Sequence, residues 1–242
     1  MTALMLEQDA IHDISLQLEQ AQPQEILEWA VETYNYSLVV VTSCQPTGIV
    51  TLHMMQEIAP DVSIVTLDTG LLFPETHALM DRLETRFGIE IQRVRPEQTV
   101  DEQARQHGDA LWERDPDQCC YLRKVRPLRQ ALGGYDAWVT GLRRDQSPRR
   151  ANTPIVSWDE QYQMVKLCPL ATWTESMVWT YVKAHDLPYN ALHDRGYTSI
   201  GCQACTRAVS TGNDTRAGRW SDRAKTECGI HYYGKTALTN GS

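Results

Sequence analysis

The chain has 242 residues, of which 42% are hydrophobic and 22% charged, with a formal net charge of −8. These are globular values that exclude wholesale disorder, and the length suffices for one large α/β domain, alone or with an appended tail. The acidic balance argues against a general nucleic-acid binder, and no stretch approaches the ~18 apolar residues that a membrane-spanning helix needs. Local arginine clusters can still oppose the global sign. Glu7, Asp9 and Asp13 stand where a secretory signal would carry basic and then apolar residues, so the expected location is the cytoplasm. The seven cysteines are an odd number. In a reducing compartment they read as ligands, nucleophiles or buried thiols rather than disulfides.

Residues 8–20 and 23–34 carry helical stripes (Ile11, Ile14, Leu16, Leu18; Ile26, Leu27, Val31), and Pro23 suits a helix start. The β-branched run 37–42 predicts a buried parallel strand. It breaks into Ser43-Cys44-Gln45-Pro46-Thr47-Gly48 before a helix from Ile49 to about Ile58. Strand, polar loop, helix is the order that aims a helix N-terminus at an anion, although the loop matches neither the Walker nor the dinucleotide fingerprint. A second strand, 62–67, ends in Asp68-Thr69-Gly70, and Pro74 opens a helix to about Phe87. A third strand is expected over 90–94 and a short helix over 97–107.

A helix over 119–132 carries the adjacent pair Cys119-Cys120. The strand 136–140 runs into Gly141-Leu142-Arg143-Arg144-Asp145-Gln146-Ser147-Pro148-Arg149-Arg150. Four arginines at a strand's C-terminal end, in an acidic chain, point to a substrate-anion site. Segments 155–158 and 164–167 read as a hairpin or edge strands, and 175–185 as an amphipathic helix. Cys44 and Cys168 read as buried structural thiols. From 188 a loop leads to Cys202-Gln203-Ala204-Cys205, and from Ser210 a polar, flexible tail carries Glu227-Cys228-Gly229-Ile230-His231. The division expected is one α/β domain over 1–209 and a tail over 210–242.

Cys202 and Cys205 are three apart, so one turn brings both sulfurs to one metal centre. Cys119 and Cys120 diverge by about 100 degrees on a helix, which a multi-iron cubane accommodates better than one zinc. The pattern suggests a [4Fe–4S] cluster first and a four-thiolate zinc site second. Arg123 and Lys124 are each four residues on from one of the pair, on the face that bears the sulfurs. Cys228 is left over as a thiol nucleophile on a tail, with Glu227 opposing its ionisation and His231, Arg216 and Arg219 favouring it.

Taken together, Cys119-Cys120, Cys202-x-x-Cys205, Glu227-Cys228-Gly-Ile-His231, Leu67-Asp68-Thr69-Gly70 and Gly141-Leu-Arg143-Arg144-x-Gln146-Ser147 resemble the assimilatory adenylyl-sulfate (APS) reductases of bacteria, from about Ser37 to about His231. The resemblance implies an α/β fold with a mostly parallel twisted sheet, a modified PP-loop fold related to ATP pyrophosphatases. It implies a [4Fe–4S] cluster on Cys119, Cys120, Cys202 and Cys205. It also implies attack of the Cys228 thiolate on the sulfur of adenosine 5′-phosphosulfate, leaving AMP and a Cys228 S-sulfonate, from which thioredoxin or a similar dithiol protein releases sulfite. Carried over by position, Lys124, Arg144, Arg150, Arg216, Arg219 and His231 line the phosphosulfate end. Gly70 and Gly141 contact the nucleoside, and Ser43 is retained from a first loop that otherwise departs from the family. Homo-oligomers are usual among the relatives. The alternatives are a reductase for the 3′-phosphorylated substrate (PAPS), or one using both, an iron–sulfur tRNA thiolase of the PP-loop class, and a non-catalytic metal-binding module.

Overall fold

The computed structural model describes residues 8–209, 215–221 and 225–231. Of the expected tail, 210–214, 222–224 and 232–242 lie outside the described residues, as do 1–7.

In chain order, α1 (Gln8–Gln17) and a 3₁₀ turn (Leu18–Gln20) lead to α2 (Pro23–Tyr34), β1 (Leu38–Val41) and α3 (Pro46–Ile58). β2 (Ser63–Leu67), α4 (Pro74–Phe87), β3 (Gln92–Val94) and α5 (Val100–His107) follow. Next come α6 (Leu111–Arg114), α7 (Pro116–Cys120), a π-helical turn (Tyr121–Val125), α8 (Arg126–Leu132) and β4 (Ala137–Thr140). β5 (Val156–Asp159), β6 (Met164–Leu167) and α9 (Glu175–Ala184) complete the domain.

Helix starts follow local chemistry. Pro23, Pro46, Pro74 and Pro116 all sit in first turns, where the missing N–H would be unpaired anyway. α3 therefore begins at Pro46, three residues before the start expected at Ile49. The π turn has a covalent cause. Pro127 has no N–H to give the Arg123 carbonyl, and the Arg126 N–H reaches back five residues to the Tyr121 carbonyl. Its widened turn directly follows Cys119 and Cys120.

The six strands form one sheet in the order β3-β2-β1-β4-β6-β5. All pairs are parallel except β5 with β6. The expected hairpin is present, but of its two strands β5 alone lies at a sheet edge, because β6 also pairs with β4. Alternate residues feed two cores. On one face Leu38, Val40, Ile64, Val139 and Leu167 pack with α2, α3, α4 and α9. On the other, Val39, Val65, Trp138 and Met164 pack with Leu128 and Leu132 of α8. β2 and β4 flank β1 on opposite sides, so a crevice opens at the C-terminal ends of these strands, where open α/β sheets take ligands. No helix among the described residues is long and apolar enough to cross a membrane.

Candidate active site and metal centre

One large cleft lies over these strand ends. Its wall includes Ser43 and Thr47 after β1, Thr69 after β2, and Gly141, Arg143 and Arg150 after β4. Lys124, Arg216, Arg219, Cys228 and His231 close one end. Gly141 lets two loops meet: a Cβ there would stand 3.1 Å from the Gly48 nitrogen. Of the site residues expected from sequence, Ser43, Lys124, Gly141, Arg150, Arg216, Arg219, His231 and Cys228 share this lining.

Two expected residues stand outside it. Gly70 takes a left-handed turn, φ 69°, beside the Arg123 guanidinium, and its neighbour Thr69 faces the cleft instead. Arg144 is turned away: both its terminal nitrogens bind Glu19, and its Nε donates to the Thr153 carbonyl. Arg143 takes the inward position. It is 6% exposed, bonds the Thr47 hydroxyl at the start of α3, and pairs with Asp145 at 2.9 Å.

The first loop carries a backbone constraint. Cys44 sits at φ 53°, a conformation that non-glycine residues rarely adopt, with its N–H on the Thr42 hydroxyl at 3.0 Å. Its thiol is fully buried and burial pushes it up to about 12, so it is not a nucleophile. Cys168 is likewise buried and pushed up to about 11. Gln45 accepts the Ile200 N–H at 2.9 Å and so ties this loop to the chain entering Cys202.

Cys119, Cys120, Cys202 and Cys205 line a second, smaller cavity together with Leu71, Trp112, Arg123, Lys124 and Trp220. The loop after β2 builds half of it. Leu72 bridges to Cys202, the Gln203 N–H donates to the Leu71 carbonyl at 2.7 Å, and the Thr69 hydroxyl meets the Cys202 sulfur at 3.2 Å. Arg123 joins the halves, donating to the Thr69 carbonyl and to Gln103. These four thiols are the described residues that could hold an iron–sulfur centre. No group of three or more His, Cys, Asp or Glu side chains among the described residues is placed to hold a single ion. Four separate thiols around one cavity suit a cluster, in which each iron takes its own thiolate.

Lys124 lines both cavities and is 9% exposed. Burial opposes its charge, but the sulfurs of Cys202, Cys228 and Cys120 outweigh that and hold the ammonium above the ordinary lysine value. Beside Cys120, Lys124 and Arg219, the Cys228 thiol is held well below the usual range despite burial. Glu227 does not oppose the thiolate as expected. Its carboxylate takes Arg150 Nε and Nη2 at 3.1 and 2.6 Å, Ser147 at 3.1 Å and Arg216 at 3.4 Å. Burial raises the Glu227 carboxyl, and these partners, Arg150 foremost, hold it below the carboxylate range.

His231 stacks on Trp138, rings 5.7 Å apart and 9° from parallel. Burial, then Lys166, Arg150, Arg216 and Lys124, keep the imidazole neutral. Lys166 is wholly buried in β6, 5.1 Å over the other ring in this series, Trp138, and paired with Asp159 at 3.6 Å. Among the described residues, Arg219 Nε is buried without a hydrogen-bond partner, a donor available to an anion in the cleft. Sequence reasoning passed over Arg143, Thr69, Trp138 and Lys166. Arg143 and Thr69 stand inside motifs already singled out, whereas Trp138 and Lys166 look like ordinary strand residues.

Likeness to known proteins bears on this arrangement. The profile of the phosphoadenosine phosphosulfate reductase domain matches residues 37–208, more than half of the chain. An adenosine 5′-phosphosulfate reductase from Salinibacter ruber is 49% identical over 219 residues, covering 90% of this chain and 87% of the relative. The crystal structure of a phosphoadenylyl-sulfate (PAPS) reductase from Candida auris, a phosphate complex, superposes with a TM-score of 0.74 at 32% identity, covering 84% of this chain and 98% of that one. A Candida glabrata FMN adenylyltransferase shares the fold alone, with a TM-score of 0.57 at 14% identity over 83% of this chain and 65% of that one.

Proposed function

The chain belongs to the phosphoadenosine phosphosulfate reductase family, and on that premise we propose that it is a sulfur-group oxidoreductase that reduces APS to sulfite and AMP in sulfate assimilation. The observation that carries this reading is a cleft over the strand ends that ends on the Cys228 thiol, ringed by Lys124, Arg150, Arg216 and Arg219. A nucleotide with a phosphosulfate end fits such a cleft: the nucleoside against Ser43, Thr69 and Gly141, the anionic end among the cations.

The Cys228 thiolate attacks the sulfur of the phosphosulfate. The S–S bond forms, the S–O bond to phosphate breaks, and AMP leaves with the electron pair. Lys124, Arg150, Arg216 and Arg219 stabilise charge that grows on the leaving phosphate and the sulfonate oxygens. Neutral His231 can donate or accept a hydrogen bond there without adding a cation. Thioredoxin or a similar dithiol protein then attacks the Cys228 sulfur, sulfite departs, and its second thiol resolves the mixed disulfide. Two electrons pass from the dithiol to the sulfonate sulfur.

Cys119, Cys120, Cys202 and Cys205 would hold a [4Fe–4S] cluster, which the four-thiol cavity supports; when bound it supplies a fixed anionic charge beside Lys124. APS rather than PAPS is supported by relatives at 46–52% identity that are named for APS. The test is sulfite and AMP formation with a dithiol protein, comparing APS with PAPS. The reading predicts preference for APS and total loss in Cys228→Ser. Equal efficiency with PAPS would overturn the substrate assignment.

A further inference from the structure

We infer that Gln161 and Glu227 are positioning residues that clasp the tail on either side of Cys228, with the turn 159–163 as the platform on which the tail docks. The inference rests on the reading of Cys228 as the nucleophile.

On the far side of Cys228, Gln161 Nε2 donates to the Gly229 carbonyl at 3.1 Å and lies 3.4 Å from the Ile230 carbonyl. A side chain can fix another segment only if its own base is rigid. This one is. Asp159 Oδ1 accepts from the Gln161 N–H at 3.0 Å and the Tyr162 N–H at 3.3 Å, and its carbonyl takes the Gln163 N–H at 2.7 Å. Asp159 is itself 2% exposed and paired with the buried Lys166. Arg129 of α8 holds the Gln161 carbonyl at 3.3 Å, linking the turn to the helix that follows the cysteine pair. Ile230 packs into the apolar cluster around Trp138 and Met164, and His231 lies on Trp138.

On the near side, Glu227 grips Arg150, Ser147 and Arg216. The two arms hold residues 227 and 229–230, and Cys228 between them faces the cleft. The Glu227 arm uses Arg150, a cation of the same cleft, so tail closure and anion binding draw on one side chain.

A net hydrogen bond shifts a docking equilibrium by roughly 3- to 10-fold. The test measures alkylation of Cys228 by iodoacetamide in the full chain, purified anaerobically and free of nucleotide, with the labelled site identified by peptide mass. At pH about 9 an undocked thiol is also largely ionised, so the rate reads access. Gln161→Met, of equal length but without donors, is expected to label Cys228 about 3- to 10-fold faster, and Gln161→Glu, which sets a carboxylate against carbonyls, faster still. Glu227→Gln is expected to speed labelling by a similar factor. Labelling of Cys44 and Cys168 and the unfolding midpoint stay unchanged. In parallel, the single-turnover rate with saturating APS falls by no more than about twofold in Gln161→Met, because a tail docked most of the time stays so after a 3- to 10-fold shift, and AMP affinity holds within about twofold. Wild-type labelling rates in both Gln161 variants, or an equal rise at Cys44 and Cys168, would overturn the clasp. A wild-type chain that forms no adduct with APS overturns the functional reading alone, and the labelling ratios still decide the clasp.

Discussion

Replacing Lys124 by methionine keeps most of the stem and bulk and removes only the ammonium. The side chain is 9% exposed and lines both the cleft and the thiol cavity, so water screens it little. Two unit charges about 5 Å apart at an effective dielectric of about 20 interact by ~3 kcal/mol, a factor of about 10² in rate. Only the part that grows towards the transition state lowers the chemical barrier. Charge leaves the Cys228 sulfur and builds on the departing phosphate, both within reach of Lys124, so that part is a fraction of the whole. The single-turnover constant at saturating APS should fall about 10- to 100-fold, and kcat/KM about 10²- to 10³-fold, since ground-state attraction is lost as well. Stability should change by no more than ~1 kcal/mol, because a buried cation is costly to desolvate and methionine is not. The assay is rapid-quench detection of AMP over one turnover, beside a thermal melt. A loss of kcat/KM below about threefold would refute electrostatic service by Lys124.

Arg150→Met leaves the Glu227 carboxylate buried with weaker partners and should loosen the tail by ~2–4 kcal/mol, whereas the double variant with Glu227→Gln should cost less than Arg150→Met alone; a double-mutant cycle on hydrogen exchange of 225–231 measures this coupling. Because the folded-state pKa of Glu227 is depressed, its docking contribution is full above the ordinary carboxylate value and is lost as pH falls through the folded one, so tail exchange should quicken only below about pH 4. Cys44→Ala should keep activity, since the thiol is buried and protonated, while Cys44→Val forces a β-branched residue into φ 53° and should cost ~2 kcal/mol or more in a denaturant titration. Cys119→Ser and Cys202→Ser should each lower bound iron and visible absorption together; full iron content in both would remove these thiols from the ligand set.

The sheet was legible because its strands are short β-branched runs, and α4 because Pro74 and the apolar stripe mark it. The start of α3 was legible too, in Pro46, by the same rule that located Pro23. What the chain order hides is direction. Arg143 and Arg144 are neighbours of equal chemistry, and Glu19, 125 positions away, captures one of them. Glu227 beside a thiol looks repulsive until the fold sets Arg150 against it. Lys166 in an apolar strand carries no signal, because its reasons, Asp159 and Trp138, come from other strands. The gathering of Cys228, Lys124, Arg150, Arg216, Arg219 and His231 into one cleft was readable because the family resemblance carries these residues over by position.

The most direct measurement is the intact mass of the anaerobically purified chain after mixing with APS and no dithiol protein. The account predicts the gain of one sulfonate group, absent in Cys228→Ser and removed by thioredoxin. An unchanged mass in protein whose iron content is intact would contradict it.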